Sequence, residues 1–233
     1  MLNLGIVVPL YNPHGDWYEA LCSSIESLNL HVGPINYSII LVNDGSTIFD
    51  ETYIKKLTHK YPNVKFVSYP ENRGKGYAIR FGLSQVHANS YIYTDIDFPF
   101  GFQIIKEMYE LLNNTSANLI IGIRNKEYFN LLPRKRKILS RALHLTNLLL
   151  TRFKVHDTQA GIKGFDNEAK KVLLQTKTNE FLFDLEFVRS CLRKKLNFTL
   201  VNIHPRPKIE FSDFRLKVIK QEIKNMMKII FRL

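Results

Sequence analysis

The chain lacks the features on which several common protein classes are built. It carries two cysteines in 233 residues, Cys22 and Cys191, far apart and in neither a C-x-x-C nor a metal-ligand spacing. That excludes a disulfide-stapled scaffold and a thiolate zinc site, and predicts two buried free thiols in a reducing compartment. No apolar run approaches the ~18 residues that cross a bilayer. The longest, near residues 143–150 and 226–231, are broken by His144, Thr146, Asn147 and Lys228. The apolar residues 4–9 follow no basic region and read as a first strand, not a signal peptide. Internal repeats, low-complexity segments and Gly/Ser-rich linkers are missing, and the length fits one α/β domain. The G-x-x-x-x-G-K-[ST] spacing of a phosphate-cradling loop is missing too; Glu71-Asn72-Arg73-Gly74-Lys75-Gly76 comes nearest.

Acidic residues are the scarcer charge, 21 Asp and Glu against 33 Lys and Arg, for a formal net charge of +12. The excess is unevenly placed. Arg134, Lys135, Arg136, Lys137, Arg141, Arg152 and Lys154 occupy a stretch with no carboxylate. A second block, Arg215, Lys217, Lys220, Lys224, Lys228 and Arg232, is opposed only by Glu222. There Leu216, Ile219, Ile223, Met226, Met227 and Ile230 recur at helical spacing opposite the lysines. The pattern predicts a basic amphipathic helix over 213–233, packed on the domain or lying on an anionic membrane surface. The basic residues alternate with long aliphatic stripes and no nucleic-acid motif is present, so no nucleic-acid partner is expected.

What is present is an alternation of short β-branched or aromatic runs with helical patterns. Strands are predicted at 4–10, 37–42, 64–69, 91–94, 119–123 and near 198–203, and helices at 16–28, 49–59, 76–86, 103–112, near 168–174 and at 183–193. This rhythm predicts a Rossmann-like, doubly wound, mostly parallel sheet whose ligands sit beyond the carboxyl ends of the strands. The chemistry-bearing loops fall at those ends. Asp95-Ile96-Asp97 closes a strand with two carboxylates, the oxygen donors that Mg²⁺ or Mn²⁺ prefers. Taken alone the pair is equally a loop cap, and Asn43-Asp44-Gly45-Ser46 taken alone is a tight turn.

The motifs together say more. Val8-Pro9-Leu10-Tyr11-Asn12, Leu41-Val42-Asn43-Asp44-Gly45-Ser46, Asn72-Arg73-Gly74-Lys75-Gly76-Tyr77-Ala78-Ile79-Arg80 and Thr94-Asp95-Ile96-Asp97 resemble, in order and spacing, the nucleotide-binding half of inverting family 2 glycosyltransferases. Gly122-Ile123-Arg124, Asp157-Thr158-Gln159-Ala160-Gly161-Ile162-Lys163-Gly164-Phe165 and Phe181-Leu182-Phe183-Asp184-Leu185-Glu186 resemble the branch that glycosylates polyprenyl phosphates, the dolichyl-phosphate glucosyl- and mannosyltransferases.

The resemblance implies a single GT-A type α/β domain, with a nucleotide-sugar half at 1–125 and an acceptor half at 126–212. It places the nucleoside of a UDP- or GDP-hexose against Pro9, Tyr11, Asp44 and the Gly74-Lys75 turn, and gives Asp95 and Asp97 a Mg²⁺ or Mn²⁺ ion on the diphosphate, Asp97 as the more direct ligand and Asp95 also touching the ribose. Arg124, Arg134 and Arg136 would hold the polyprenyl phosphate, since guanidinium groups bind phosphate oxygens in a planar fork; the alternative is a solvated basic helix face. Asp184 stands where relatives acting on hydroxyls place a general base, and here would serve that role or organise Lys163, Arg124 or the donor sugar. Gln159 would reach the sugar or line the pocket, and Asp157 would cap structure. Three positions depart from the family pattern: Pro13 replaces a Glu, Asn43 an Asp, and Pro99 a Gln that follows the metal carboxylates. The late segment from Pro205 to Ser212 follows the glucosyl type, favouring UDP-glucose over GDP-mannose. A chain of this branch without a span of its own is expected at the cytoplasmic, inner face of a membrane, docked directly or through a small membrane partner. The competing functions are transfer to a sugar hydroxyl with Asp184 as base, a nucleotidylyltransferase, whose Gly-rich signature after the first strand is missing, and a silent sugar-nucleotide binder, for which both Asp95 and Asp97 are superfluous.

Overall fold

The structure, a computed structural model, describes residues 2–206 except 14, 49, 126, 127, 129–133, 153, 181 and 205; the side chains of 51, 134–136, 138, 139 and 141–143 are outside the description. The amphipathic helix expected over 213–233 and the segment after residue 206 lie outside the described residues.

The apolar runs form the strands. β1 (Leu4–Leu10), β2 (Tyr37–Asp44), β3 (Val64–Tyr69), β4 (Ser90–Tyr93), β5 (Leu119–Arg124), β6 (Lys163–Asp166) and β7 (Phe198–Ile203) make one sheet in the order β3-β2-β1-β4-β6-β5-β7. Four of the six pairings are parallel, and β6 runs antiparallel to both β4 and β5. The helices are α1 (Trp17–Val32), α2 (Glu51–Lys60), α3 (Lys75–Ser84), α4 (Gln103–Asn114), α5 (Arg134–Leu150), α6 (Asn167–Leu174) and α7 (Phe183–Arg193).

Side chains alternate across a strand, so β1 feeds two cores. Leu4, Ile6, Val8 and Leu10 join residues of α1, α2 and α4 on one face, while Val7 joins residues of α3, α6 and α7 on the other. Each fully buried aliphatic side chain contributes about 1.5–3 kcal/mol. Cys22 and Cys191 are free, buried thiols, and burial pushes the Cys191 thiol well above its ordinary value, which leaves it unreactive.

Two elements escape the sequence pattern. β6 is Lys163-Gly164-Phe165-Asp166, with one large apolar side chain in four, so it carries no strand signature. Its neighbours hold it, with Tyr91 and Leu119 both opposite Phe165. The basic segment after residue 133 forms the long helix α5. Because β6 threads between β4 and β5, chain from after residue 125 supplies part of the central sheet.

Helix α3 crosses β1 and β2 at Gly82. A Cβ there would lie 2.6 Å from Val7 Cγ1 and 2.7 Å from Val42 Cγ2, both on buried strand residues. Gly82→Ala is therefore expected to destabilise the fold by about 1–3 kcal/mol through overpacking, although alanine is the better helix former. The urea-unfolding midpoint measures this; an unchanged or raised midpoint would mean that α3 is free to move off the sheet.

Candidate functional site

The chain runs from β1 outward to β2 and β3 and then returns to β4 on the other side of β1. Such a reversal opens a crevice at the carboxyl ends of the two central strands. A cavity of about 300 Å³ lies there, lined by Pro9, Leu10, Tyr11, Asp44, Asn72, Gly74, Lys75, Asp95 and Glu180. Tyr11 is 51% exposed at the end of β1, where an aromatic face is available to a planar ligand.

Asp44, the last residue of β2, is buried and anchors the loop that follows β3. Oδ1 accepts from Tyr69 Oη at 2.8 Å and the Arg73 amide at 2.7 Å; Oδ2 accepts from Asn72 Nδ2 at 2.9 Å and the Gly74 amide at 3.0 Å. A carboxylate has about four acceptor positions, and all are taken. Asp44, expected against a nucleoside, lines the cavity and also fixes the turn that presents Gly74 and Lys75. Burial, reinforced by Asp44, drives the Tyr69 hydroxyl far above its ordinary value, so it stays a donor.

Lys75 opens α3 and forms an ion pair with Asp95 Oδ1 just beyond β4. Burial would lower the ammonium's pKa, but Asp95, Asp184 and Asp97 together raise it above the ordinary value. Gly161 makes the arrangement sterically feasible, because a Cβ at that position would collide with Asp95 Oδ2. Asp97 is exposed on the same turn, and its carboxyl is pushed upward by the surrounding protein and by the charge of Asp95. Two oxygen donors, one of them open to solvent and raised by its like-charged neighbour, fit a divalent cation. Among the described residues no third His, Cys, Asp or Glu gathers with them. Pro99 supplies only its backbone carbonyl, which accepts from the Arg206 amide at 2.8 Å.

Behind this pair lies a buried ionic cluster. Lys163 Nζ is 2.9 Å from Asp184 Oδ1 and donates to the carbonyls of Thr158 and Ala160, each at 2.5 Å. Burial lowers the Lys163 pKa against the opposing pull of Asp184. Tyr93 Oη also donates to Asp184, and burial first, then Asp184, raises that hydroxyl well above its ordinary value. Asp184 is thus in contact with Lys163, one of the partners expected of it, and with Tyr93.

Arg124 ends β5 and commits its planar fork to Asp157: Nε to Oδ2 at 2.8 Å, Nη2 to Oδ1 at 2.7 Å, with its amide to Oδ2 at 3.0 Å. The guanidinium also stacks 4.8 Å from the Tyr128 ring. The fork expected to hold a phosphate is thus paired with Asp157 in this structure. Asp157 holds the turn before β6, as expected of a cap. Gln159, expected to reach the sugar or line the pocket, borders with Arg124, His144, His156 and Asp157 a separate hollow of about 10 Å³. Arg134 begins α5, but its side chain and that of Arg136 are outside the description.

The cavity thus gathers Pro9, Tyr11, Asp44, Gly74, Lys75 and Asp95, while Asp97 stands on the adjoining turn and Asp184 lies behind it. Leu10, Asn72 and Glu180 were not anticipated as lining residues. Asn72 lay within a recognised motif; Glu180 lies in a loop with no motif of its own.

Residues 5–174 match the family model for glycosyl transferase family 2. A dolichyl-phosphate beta-glucosyltransferase of Trichomonas vaginalis is 28% identical over 73% of this chain and 55% of its own length. Enzymes of the same name from Saccharomyces cerevisiae and Homo sapiens are 25% and 26% identical, over 86% and 79% of this chain and 66% and 61% of their own lengths. The chain thus spans less than two thirds of these relatives. Among solved structures, glucosyl-3-phosphoglycerate synthase from Mycobacterium tuberculosis, with Mn²⁺, UDP and glucosyl-3-phosphoglycerate, superposes with a TM-score of 0.64 at 17% identity, covering 98% of this chain and 77% of that one. A mannosyltransferase from Pyrobaculum calidifontis, with GDP-Man and Mn²⁺, gives 0.62 at 13% identity, covering 86% and 56%. At these identities the likeness shows the fold, the GT-A arrangement anticipated from the motifs.

The Arg124–Asp157 pair generates a pH prediction. Burial alone would raise the Asp157 carboxyl, but Arg124 holds it below its ordinary value. A depressed carboxylate contributes stability that is present above its unfolded value near ~4 and is lost as pH falls through the lower folded value. Asp157→Asn is expected to cost about 3–5 kcal/mol at pH 7 by leaving Arg124 uncompensated. In urea unfolding at stepped pH, its deficit relative to wild type narrows as pH falls below about 4; a deficit that stays constant down to pH 2 would contradict the assignment.

Proposed function

The chain belongs to glycosyl transferase family 2, and we propose that it transfers a hexose from a nucleotide sugar, UDP-glucose in preference to GDP-mannose, to a polyprenyl phosphate at the inner face of a membrane. The observation that carries this reading is the cavity at the sheet's reversal point, lined by Tyr11, Lys75 and Asp95 among others, with Asp97 on the same turn as Asp95. The dolichyl-phosphate beta-glucosyltransferase relatives support the lipid-phosphate acceptor and the glucosyl donor.

The base and ribose lie along Pro9, Tyr11 and the Gly74 turn, and the diphosphate at Lys75. Asp95 and Asp97 would hold Mg²⁺ or Mn²⁺, which when bound offsets negative charge on the diphosphate as a Lewis acid. An acceptor phosphate oxygen attacks the anomeric carbon from the face opposite the diphosphate. The anomeric C–O bond breaks, its electron pair leaves on the β-phosphate oxygen, and the configuration inverts. Lys75 offsets the charge that develops there.

A phosphate acceptor is already ionised near neutral pH and needs no proton removed. The state of Asp184 supports that choice over a hydroxyl acceptor, because a carboxylate committed to Lys163 and Tyr93 is poorly placed to take a proton. No helix among the described residues is long and apolar enough to cross a membrane; the basic segments supply surface attraction to anionic lipid, directly or beside a small membrane partner.

Purified protein incubated with UDP-glucose or GDP-mannose, Mg²⁺ or Mn²⁺, and a short-chain polyprenyl phosphate is expected to yield the lipid-linked hexose. Asp97→Ala is expected to lower kcat by about 100-fold or more while leaving the unfolding midpoint unchanged. Unchanged turnover would remove the metal-holding role. Transfer to a free sugar hydroxyl, with none to lipid phosphate, would overturn the acceptor assignment and return Asp184 to the role of base.

A further inference from the structure

Three carboxylates line the cavity, and they differ in what they have left to offer. Asp44 has all its acceptor positions occupied by the loop it anchors. Asp95 is paired with Lys75. Glu180 is half-buried, and among the described residues its carboxylate has no hydrogen-bond or ion-pair partner. Burial and the charge of Asp44 raise its proton affinity, the condition of an acceptor without a donor.

Its position is informative. Glu180 Oε1 lies 3.1 Å from where a Cβ of Gly74 would stand. The Gly74 amide is bonded to Asp44, and the next residue, Lys75, is paired with Asp95. Glu180 therefore sits against the middle of the strip running from Asp44 to Asp95. With the diphosphate at Lys75 and the base toward Tyr11, the middle of that strip is where a ribose falls. An unpaired carboxylate repels a phosphate but accepts strongly from neutral hydroxyls, and a vicinal diol offers it two donors. Dinucleotide-binding folds use an acidic side chain on ribose hydroxyls in the same way.

We propose that Glu180 is the ribose-reading residue of the cavity, accepting from the 2′- and 3′-hydroxyls and selecting ribonucleotide over deoxyribonucleotide donors. The proposal rests on the nucleotide-sugar reading of this cavity, and the two fail in different ways. Titration calorimetry with Mn²⁺ present compares UDP, GDP and their 2′-deoxy forms on wild type, Glu180→Ala and Glu180→Gln. Wild type is expected to bind its preferred ribonucleotide about tenfold or more tightly than the 2′-deoxy form. Glu180→Ala brings that ratio close to one by weakening the ribonucleotide, which loses two hydrogen bonds, more than the 2′-deoxy form, which loses only that of its 3′-hydroxyl. Glu180→Gln, which keeps the side-chain shape, lowers the ratio part of the way and carries the comparison if the alanine variant does not fold. A ribose ratio preserved in a folded variant overturns the proposal, as does a change in the UDP-to-GDP ratio alone, which would assign Glu180 to the base. Wild type that binds none of the four nucleotides defeats the reading of the cavity itself.

Discussion

A single buried ammonium ties the candidate site together. Taking Lys163 out of water costs several kcal/mol unless its donors are satisfied, and they are, by Asp184 and by the carbonyls of Thr158 and Ala160. The lysine stands on β6, the carbonyls belong to the turn before it, and Asp184 lies in the first turn of α7. One charge therefore fixes three segments relative to one another. The turn brings Gly161 against Asp95, and the start of α7 brings Glu180 to the cavity and Asp184 to Tyr93. The neighbourhood of β4 is defined from behind by this cluster, not by the loop that carries Asp95 and Asp97.

The same logic of saturation sorts the other charged groups. Asp44 and Arg124 are the residue types that recognise ligands, and both are engaged internally, Asp44 on the 72–74 turn and Arg124 on Asp157. Each replaces a flexible loop with a pre-ordered one, which lowers the ordering cost of any ligand that binds beside it. Under the proposed reading, recognition would pass to groups with donors or acceptors still open: Lys75, Asp97, Glu180 and the exposed face of Tyr11.

Much of the architecture was legible because its signal is local. β1, β3 and β7 fall on the predicted residues, since a run such as Leu4-Gly5-Ile6-Val7-Val8 is buried on both faces of a covered sheet and announces itself in four or five residues. β6 was invisible because its strand character is tertiary: a lysine, a glycine and an aspartate become a strand only between β4 and β5. The site divides along the same line. Proximity of Pro9, Tyr11, Gly74, Lys75 and Asp95 follows from each lying at a strand end or helix start. Partners do not: Arg124 meets Asp157 across 33 residues and Asp44 meets Arg73 across 29. Glu180 needed the contact with Gly74, 106 positions away in sequence, before it had any meaning.

The distribution of charge bears on the acceptor. The chain carries a net charge of +12, yet the end of the sheet where Asp44, Asp95, Asp97 and Glu180 gather is rich in carboxylates, so the positive excess lies elsewhere. With Arg124 neutralised by Asp157, an anionic acceptor approaching that end depends on cations from other segments. Helix α5 begins ten residues after β5 ends, counting from Arg124 to Arg134, and its first turn is Arg134-Lys135-Arg136-Lys137 with no acidic residue. Lysine and arginine at a helix N-terminus oppose the macrodipole, an arrangement that costs a few tenths of a kcal/mol per residue in isolation. In the proposed reading the acceptor phosphate would offset that cost, since the N-terminus of a helix attracts anions. Under that same proposal the lipid tail of a polyprenyl phosphate would bring it to the protein at a membrane surface, where basic residues are attracted to anionic lipid.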